Sequence, residues 1–143
     1  MMSGLFFYRI GHFFFKLGIP LLPKLFFGLG FLLFHCVIPP SASIGKGTKV
    51  GYGGLGIVIH ARAKIGVGVV IAQHVTIGGR SGFVDVPVIE DGVFIGAGAK
   101  VLGPVRLGAN AVVGANAVVL KDVPAGAVVV GIPARIVKQK EAS

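Results

Sequence analysis

The sequence predicts an all-β solenoid: a three-sided parallel β-helix of about five coils over residues 41–137, with a short helical hairpin in residues 1–40 and a polar tail at 138–143. Three observations carry this. From Ile59 to Val119 every sixth position holds a large apolar residue, Ile59, Ile65, Ile71, Ile77 and so on, with Phe83 the odd member. Four residues after each stands a smaller one, among them Ala63, Val69, Ala99, Ala111 and Ala117. The 143 residues also include 24 glycines, and Gly66, Gly78, Gly96, Gly108 and Gly114 directly follow the large residue.

A period of six matches neither the helix repeat nor strand alternation, so each hexad reads as one short strand and a corner. Three hexads close one triangular coil of about 18 residues, and coils stacked about 4.8 Å apart bond strand to strand around an aliphatic column. Asn110 and Asn116 fall at turns, where their side chains tolerate tight backbone.

The first forty residues hold two apolar runs, LFFYRIGHFFFKLGIP and LLPKLFFGLGFLLFHCVIPP, separated by Gly18, Pro20 and Pro23. The prolines favour two short helices over one long one. In the first, Arg9, His12 and Lys16 share a face opposite Phe6, Phe7, Ile10, Phe13, Phe14 and Leu17. Neither run is long enough to span a bilayer. Residues 1–38 are therefore expected to lie at the inner face of the cytoplasmic membrane with the basic stripe toward headgroups, the alternative being a hairpin packed on its own domain or on sister subunits.

Two segments break the lattice. Ile44 and Val50 obey the same rule but stand three residues out of phase with Ile59, which places a slip at GYGGLGIVIH, residues 51–60. GGRSGFVDVP, residues 78–87, keeps the count but loses the pattern, and reads as a loop thrown out from a corner.

The net charge is +9, and Met1 to Val84 contain eight Lys or Arg and no Asp or Glu. Such a half prefers anionic company. The absence of zinc-finger spacing, aromatic RNA-binding motifs or lysine-rich helices disfavours nucleic acid. One cysteine, Cys36, excludes an internal disulfide and two-cysteine metal motifs.

SASIGKGTKVGYGGLGIVIHARAKIG, VTIGG, VPVIEDGVFIGAGAKVLGPVRLGANAVVGANAVVLKDVPAG and GIPARIV together resemble the hexapeptide-repeat acyltransferases, in their serine acetyltransferase-like branch, and most closely those associated with cell-surface polysaccharides. The resemblance implies a left-handed parallel β-helix, a homotrimer, active sites in clefts between subunits, and acetyl-CoA as acetyl donor without a metal. The family's catalytic histidine falls on Gly53 and its second active-site histidine on Val86.

Moving acetyl from a thioester to a hydroxyl requires a base, oxyanion donors and a positioning cleft. Of the histidines within the repeats, His60 takes a corner position expected to stack under Gly78, Gly96 and Gly114, and reads as the base or as a tolerated corner residue. His74 lies at a turn position held elsewhere by Arg62, Arg80, Asn110 or Asn116, and reads as an exposed corner or as the base. Asp85 is the best-placed acid to orient a histidine, with Glu90 and Asp91 close behind. Tyr52 and Gly53 at the slip are candidates for the acceptor. By resemblance, the donor's arm runs along Gly78, Gly79, Gly96, Ala97 and Ala115, with Lys100, Lys121 and Arg135 toward its phosphates.

The function expected is therefore acetyl-CoA-dependent O-acetylation of a sugar hydroxyl in a cell-surface polysaccharide precursor. Serine O-acetylation is the rival within the class, and a non-enzymatic, membrane-associated trimeric scaffold the rival outside it. A zinc enzyme on this architecture needs three converging histidines, which the repeats do not supply.

Overall fold

In the computed structural model, which describes residues 2–139, two α-helices lead into a parallel β-solenoid. Helix α1 is Gly4–Lys16 and α2 is Leu22–Phe34. The strands are β1 (Ser43–Ile44), β2 (Lys49–Val50), β3 (Val58–Ile59), β4 (Lys64–Ile65), β5 (Val70–Ile71), β6 (Thr76–Gly78) and β7 (Val88–Ile89). They continue with β8 (Phe94–Ile95), β9 (Lys100–Leu102), β10 (Arg106–Leu107), β11 (Val112–Val113), β12 (Val118–Val119), β13 (Ala127–Val130) and β14 (Arg135–Gln139).

They form three faces. Face one is β1-β4-β7-β10, face two is β2-β5-β8-β11-β13 closed by β14, and face three is β3-β6-β9-β12. The chain visits the faces in that order, which makes about four full turns. Bridges from Val37 to Val58 and from Leu107 to Val123 extend faces three and one by a rung. The expectation of about five coils over 41–137 counts as lattice the extra residues of the slip and of the 78–87 loop, which add no rung. The solenoid is left-handed.

Strand pairs explain the sequence rule. In each two-residue strand the first side chain points out and the second in, so Ile59, Ile65, Ile71, Ile77, Ile89, Ile95, Val101, Leu107, Val113 and Val119 line the axis and are buried. Ala63, Val69, Val75, Val93, Ala99, Val105, Ala111 and Ala117 fill the corners and are equally inaccessible. Burying each Val, Leu or Ile side chain contributes about 1.5–3 kcal/mol, and each Ala less. Phe83 leaves the pattern because it is in a loop, where it stays exposed. The small inward residues at the corners have a further reason: a Cβ on Gly96 would stand 2.7 Å from the Ala115 nitrogen of the next coil.

Pairing gives the coil lengths. Val58 pairs with Thr76, a plain period, whereas Ile44 pairs with Ile65 and so carries three extra residues. Those residues are the slip, a tight turn at Gly51–Gly54 with Tyr52, Gly53, Gly54 and Gly56 all at positive φ. Ile65 pairs with Ile89, six residues beyond the plain period, so the 78–87 loop is an insertion of one hexad. An insertion equal to the period is why the count survives in the sequence.

The hairpin closes the first coil. Ser3 caps α1 by accepting from the Phe6 amide. Pro23 sits in the first turn of α2, where a missing N–H costs nothing, so it starts the second helix instead of separating the two. Two of the three residues of the basic stripe expected at a lipid surface turn to the first coil instead, while Lys16 stays exposed. Arg9 donates through both terminal nitrogens to the Ile44 and Gly45 carbonyls at 2.6 Å each, and His12 Nδ1 meets the Pro40 carbonyl at 2.6 Å. The Tyr8 hydroxyl donates to the Ala42 carbonyl. These carbonyls have no coil beneath them, and the helix supplies their donors. Burial pushes the Tyr8 phenol pKa up, with the Arg9 charge partly offsetting it. Burial likewise raises the Cys36 thiol.

At the far end β14 runs antiparallel to β13 through Gln139, so the expected polar tail begins inside a strand, and 140–143 lie outside the described residues.

Candidate functional site

The candidate residues gather at the two edges of face three. Along the corner between faces two and three stand Tyr52, Gly53, His74, Gly96, Ala97 and Ala115. Along the corner between faces three and one stand His60, Gly78, Gly79, Asp85 and Lys121, with Lys100 on the face between and Arg135 opening β14.

The inserted hexad rearranges the expected stack above His60. Gly78 does follow it, since the His60 amide donates to the Ile77 carbonyl at 2.8 Å. The next rung is Leu102, which pairs with Gly78, whereas Gly96 and Gly114 lie on the other edge of the face. His60 is half-buried, and its Nδ1 accepts from the Arg62 backbone N–H at 3.0 Å. A backbone N–H only donates, so neutral His60 carries its proton on Nε2. The ring thus performs the turn-closing task of an Asn or Asp side chain two residues before the amide it binds.

His74 has a different setting. It is exposed and left-handed, φ 60°, in a column with His35, Gly56, Gly98 and Asn116, each at positive φ. Its amide donates to the Leu55 carbonyl at 2.9 Å, as the Asn116 amide does to Ala97 at 2.8 Å. The imidazole covers Gly56, where a Cβ would collide with Nδ1, just as Asn116 Oδ1 covers Gly98. His74 thus belongs with Asn110 and Asn116, while Arg62 and Arg80 do not share its left-handed backbone. Among the described residues within the strand repeats it is the histidine whose ring covers the slip, at Gly56, and whose ring nitrogens make no hydrogen bond.

At the slip, Gly53 has φ 71° and its Cβ would lie 2.8 Å from Phe34 Cδ1 of α2. Tyr52 is 79% exposed. Both border a groove of about 660 Å³ shared with Leu5, Phe34 and Lys49. Gly53 therefore has a structural cause in the close seating of the hairpin, and Gly56 in the ring of His74.

Asp85 is not brought to either histidine. It lines a groove of about 560 Å³ on face one, with Arg62, Lys64, Arg106 and Asp122. That groove escaped the sequence reading because its outward residues align only after the inserted hexad is placed. The Arg62 guanidinium ties the loop down by donating to the Val84 carbonyl at 2.7 Å. The alternative acids are engaged elsewhere. Glu90 accepts from Arg106 Nε at 2.6 Å and from the Ala109 amide at 2.9 Å, and the Arg106 bond holds its carboxyl below the usual range. Asp91 accepts from the Val67 amide at 2.7 Å. Among the described residues no three His, Cys, Asp or Glu side chains converge as a metal site would require.

The glycines proposed along the donor divide in two. Gly96 is demanded by the coil above it. Gly78 and Gly79 are not: added Cβ atoms would meet nothing nearer than 3.5 Å and 3.7 Å, the latter contact being His60 Cδ2, and neither has positive φ. At these two adjacent glycines the backbone is therefore left open to close approach. Lys100 on face three turns its ammonium to the Gly98 carbonyl, and Lys121 is exposed.

Comparison with known proteins identifies relatives over nearly the whole chain. Residues 87–121 match the family model described as bacterial transferase hexapeptide, six repeats. A serine acetyltransferase of Synechococcus elongatus is 40% identical over 133 residues, covering 91% of this chain and 54% of the relative. The solved structure of soybean serine acetyltransferase complexed with serine superposes with a TM-score of 0.87 at 38% identity, over 94% of this chain and 56% of that one. A serine acetyltransferase complex with CoA superposes with a TM-score of 0.85 at 38% identity, over 94% and 55%. The chain spans about half the length of the curated relatives it matches.

Proposed function

This chain belongs to the hexapeptide-repeat acyltransferases, in their serine acetyltransferase-like branch, and from that premise we propose that it is a homotrimeric, acetyl-CoA-dependent O-acetyltransferase. The observation that carries the reading is the Gly78–Gly79 doublet. It opens the backbone beside His60 where the fold has no use for glycine, and a similar protein is solved with CoA.

In a trimer the two edges of face three come from neighbouring protomers and flank one cleft. The edge bearing Gly78 and Gly79 receives the donor's arm, and the edge bearing His74 and Tyr52 receives the acceptor. His74 is the base, because its ring nitrogens are not held by the turn as His60 Nδ1 is. The acceptor hydroxyl oxygen attacks the thioester carbonyl carbon as His74 takes the hydroxyl proton, and collapse of the adduct breaks the C–S bond. The departing thiolate then takes that proton from His74, leaving an acetyl ester and the free thiol. His60 offers a hydrogen bond from Nε2 and takes no proton. Lys121 and Arg135 attract the donor's phosphates as mobile surface cations.

Serine is the acceptor that the relatives favour, by their names and by the soybean complex with serine. The second reading, a sugar hydroxyl of a polysaccharide precursor presented at the membrane, is favoured by two departures: Gly53 in the slip and Val86 in the loop stand where, by the resemblance, the branch carries its two histidines. Thiol release from acetyl-CoA, measured with free serine and with nucleotide-linked sugars in parallel, separates the two. Serine turnover supports the first, sugar turnover the second. If neither acceptor is turned over and acetyl-CoA does not raise the melting temperature, the protein is a scaffold and the acetyltransferase reading fails.

A further inference from the structure

The hairpin presents to solvent the opposite of what its sequence suggested. Arg9 and His12 are consumed by carbonyls of the first coil, so two of the three stripe residues turn to protein and Lys16 alone stays outward. What faces outward is apolar: Phe15, Leu17, Leu21, Leu25, Phe31 and Leu32 are each 47–75% exposed across both helices and the turn that joins them. So many exposed large apolar side chains on two short helices and their turn call for a covering surface, where a single one would not. The charged residues set into it are Lys16 and Lys24, one on each side of the turn and both exposed, and no acid occurs before Asp85.

We propose that this face docks on an anionic lipid surface, with the turn and its leucines entering the headgroup layer and Lys16 and Lys24 extending to phosphates. Three features choose this occupant. Each helix has 13 residues, about 20 Å of rise, enough to lie in an interface and too short to cross it. Lysines with long apolar stems beside exposed leucines suit the boundary between acyl chains and headgroups. A second copy of the face is disfavoured by charge: a symmetric pairing would set lysine against lysine with no acid on either side. The inference stands apart from the acetyl-transfer reading and is tested without measuring activity.

The test is co-sedimentation of the full chain with vesicles of phosphatidylcholine alone and of phosphatidylcholine mixed evenly with phosphatidylglycerol. The mixed vesicles are expected to carry the protein down and the neutral ones to do so weakly. The double variant Lys16→Glu, Lys24→Glu should bind the mixed vesicles at least about tenfold more weakly. Leu17→Ser with Leu21→Ser should lose binding to both. All four side chains are exposed, so melting curves of the variants should match the parent. Equal binding by parent and variants, or no binding by the parent, overturns the proposal. So does a change of oligomeric state in the leucine variant without any effect on vesicles, which would give the face to another protein surface.

Discussion

The slip at residues 51–57 and the loop at 78–87 interrupt the same lattice in opposite ways. The slip adds three residues, turns them inward against Phe34, Cys36 and Gly4 of the hairpin segment, and fixes them with four left-handed residues. The loop adds six, throws them outward, and holds them with a single guanidinium bond from Arg62 and the stacking of Arg80 on Phe83 at 5.1 Å. The difference teaches that irregularity in a solenoid serves two ends. One fits the stack to its cap, and the other frees a segment from the stack.

The sharpest way to break this comparison is at its chemical consequence. His74, which leans on the slip, is expected to lose about a hundredfold or more in acetyl transfer when changed to Ala, the usual contribution of a general base. His60→Asn replaces the Nδ1 acceptor of the Arg62 amide with a side-chain oxygen and should retain far more turnover. Steady-state rates of the two variants compare them directly, and the reverse order would move the base to His60.

Next in size is the slip itself. Gly53→Val combines a β-branched residue at φ 71° with a contact under 3 Å to Phe34, and should lower stability by about 1–3 kcal/mol in urea unfolding. Gly79→Ala, on the loop side, meets only ordinary contacts and should leave the melt unchanged while weakening acetyl-CoA binding.

Smaller still should be removal of the loop from the stack. Deleting 79–84, one full hexad, leaves Gly78, Asp85, Val86 and Pro87 as a four-residue corner of the kind formed by His60–Ala63. Stability by the same unfolding measurement should shift by about 1 kcal/mol or less. A collapse of the fold would show that the loop is structural like the slip.

The smallest effect concerns Glu90, which clips Arg106 and the Ala109 amide. Its pKa is lowered on folding, so its contribution is present above the unfolded carboxylate pKa and disappears as pH falls through the folded one. Glu90→Gln should lower the melting temperature slightly at neutral pH and leave the acid end unchanged, flattening the profile between them, a small effect as expected for an exposed pair.

The contrast also measures what the sequence could tell. Ile44 and Val50 show the slip because three residues break a period of six. Nothing shows the length of the loop, because six residues restore the phase. That one ambiguity put Gly96 and Gly114 above His60, where the structure has Leu102. The aliphatic column, the corners and the two-helix start were legible from periodicity alone. The direction of Arg9 and His12 was not, since an amphipathic pattern gives two faces and does not say which one meets protein. The partner of His60 Nδ1 is a backbone amide, which no side-chain pattern encodes.

The reversed strand β14 has a consequence for how the molecule behaves in a crowd. A parallel stack offers a matching rung at each mouth, and sister prisms could in principle thread into an endless fibre. Running the last strand backward, with Arg135 and Lys138 along it, spoils that match at one mouth, and the tyrosine, arginine and histidine of α1 occupy the other. The rod is finite by construction, and its two stoppers let it be rich in β-structure without becoming a polymerisation seed.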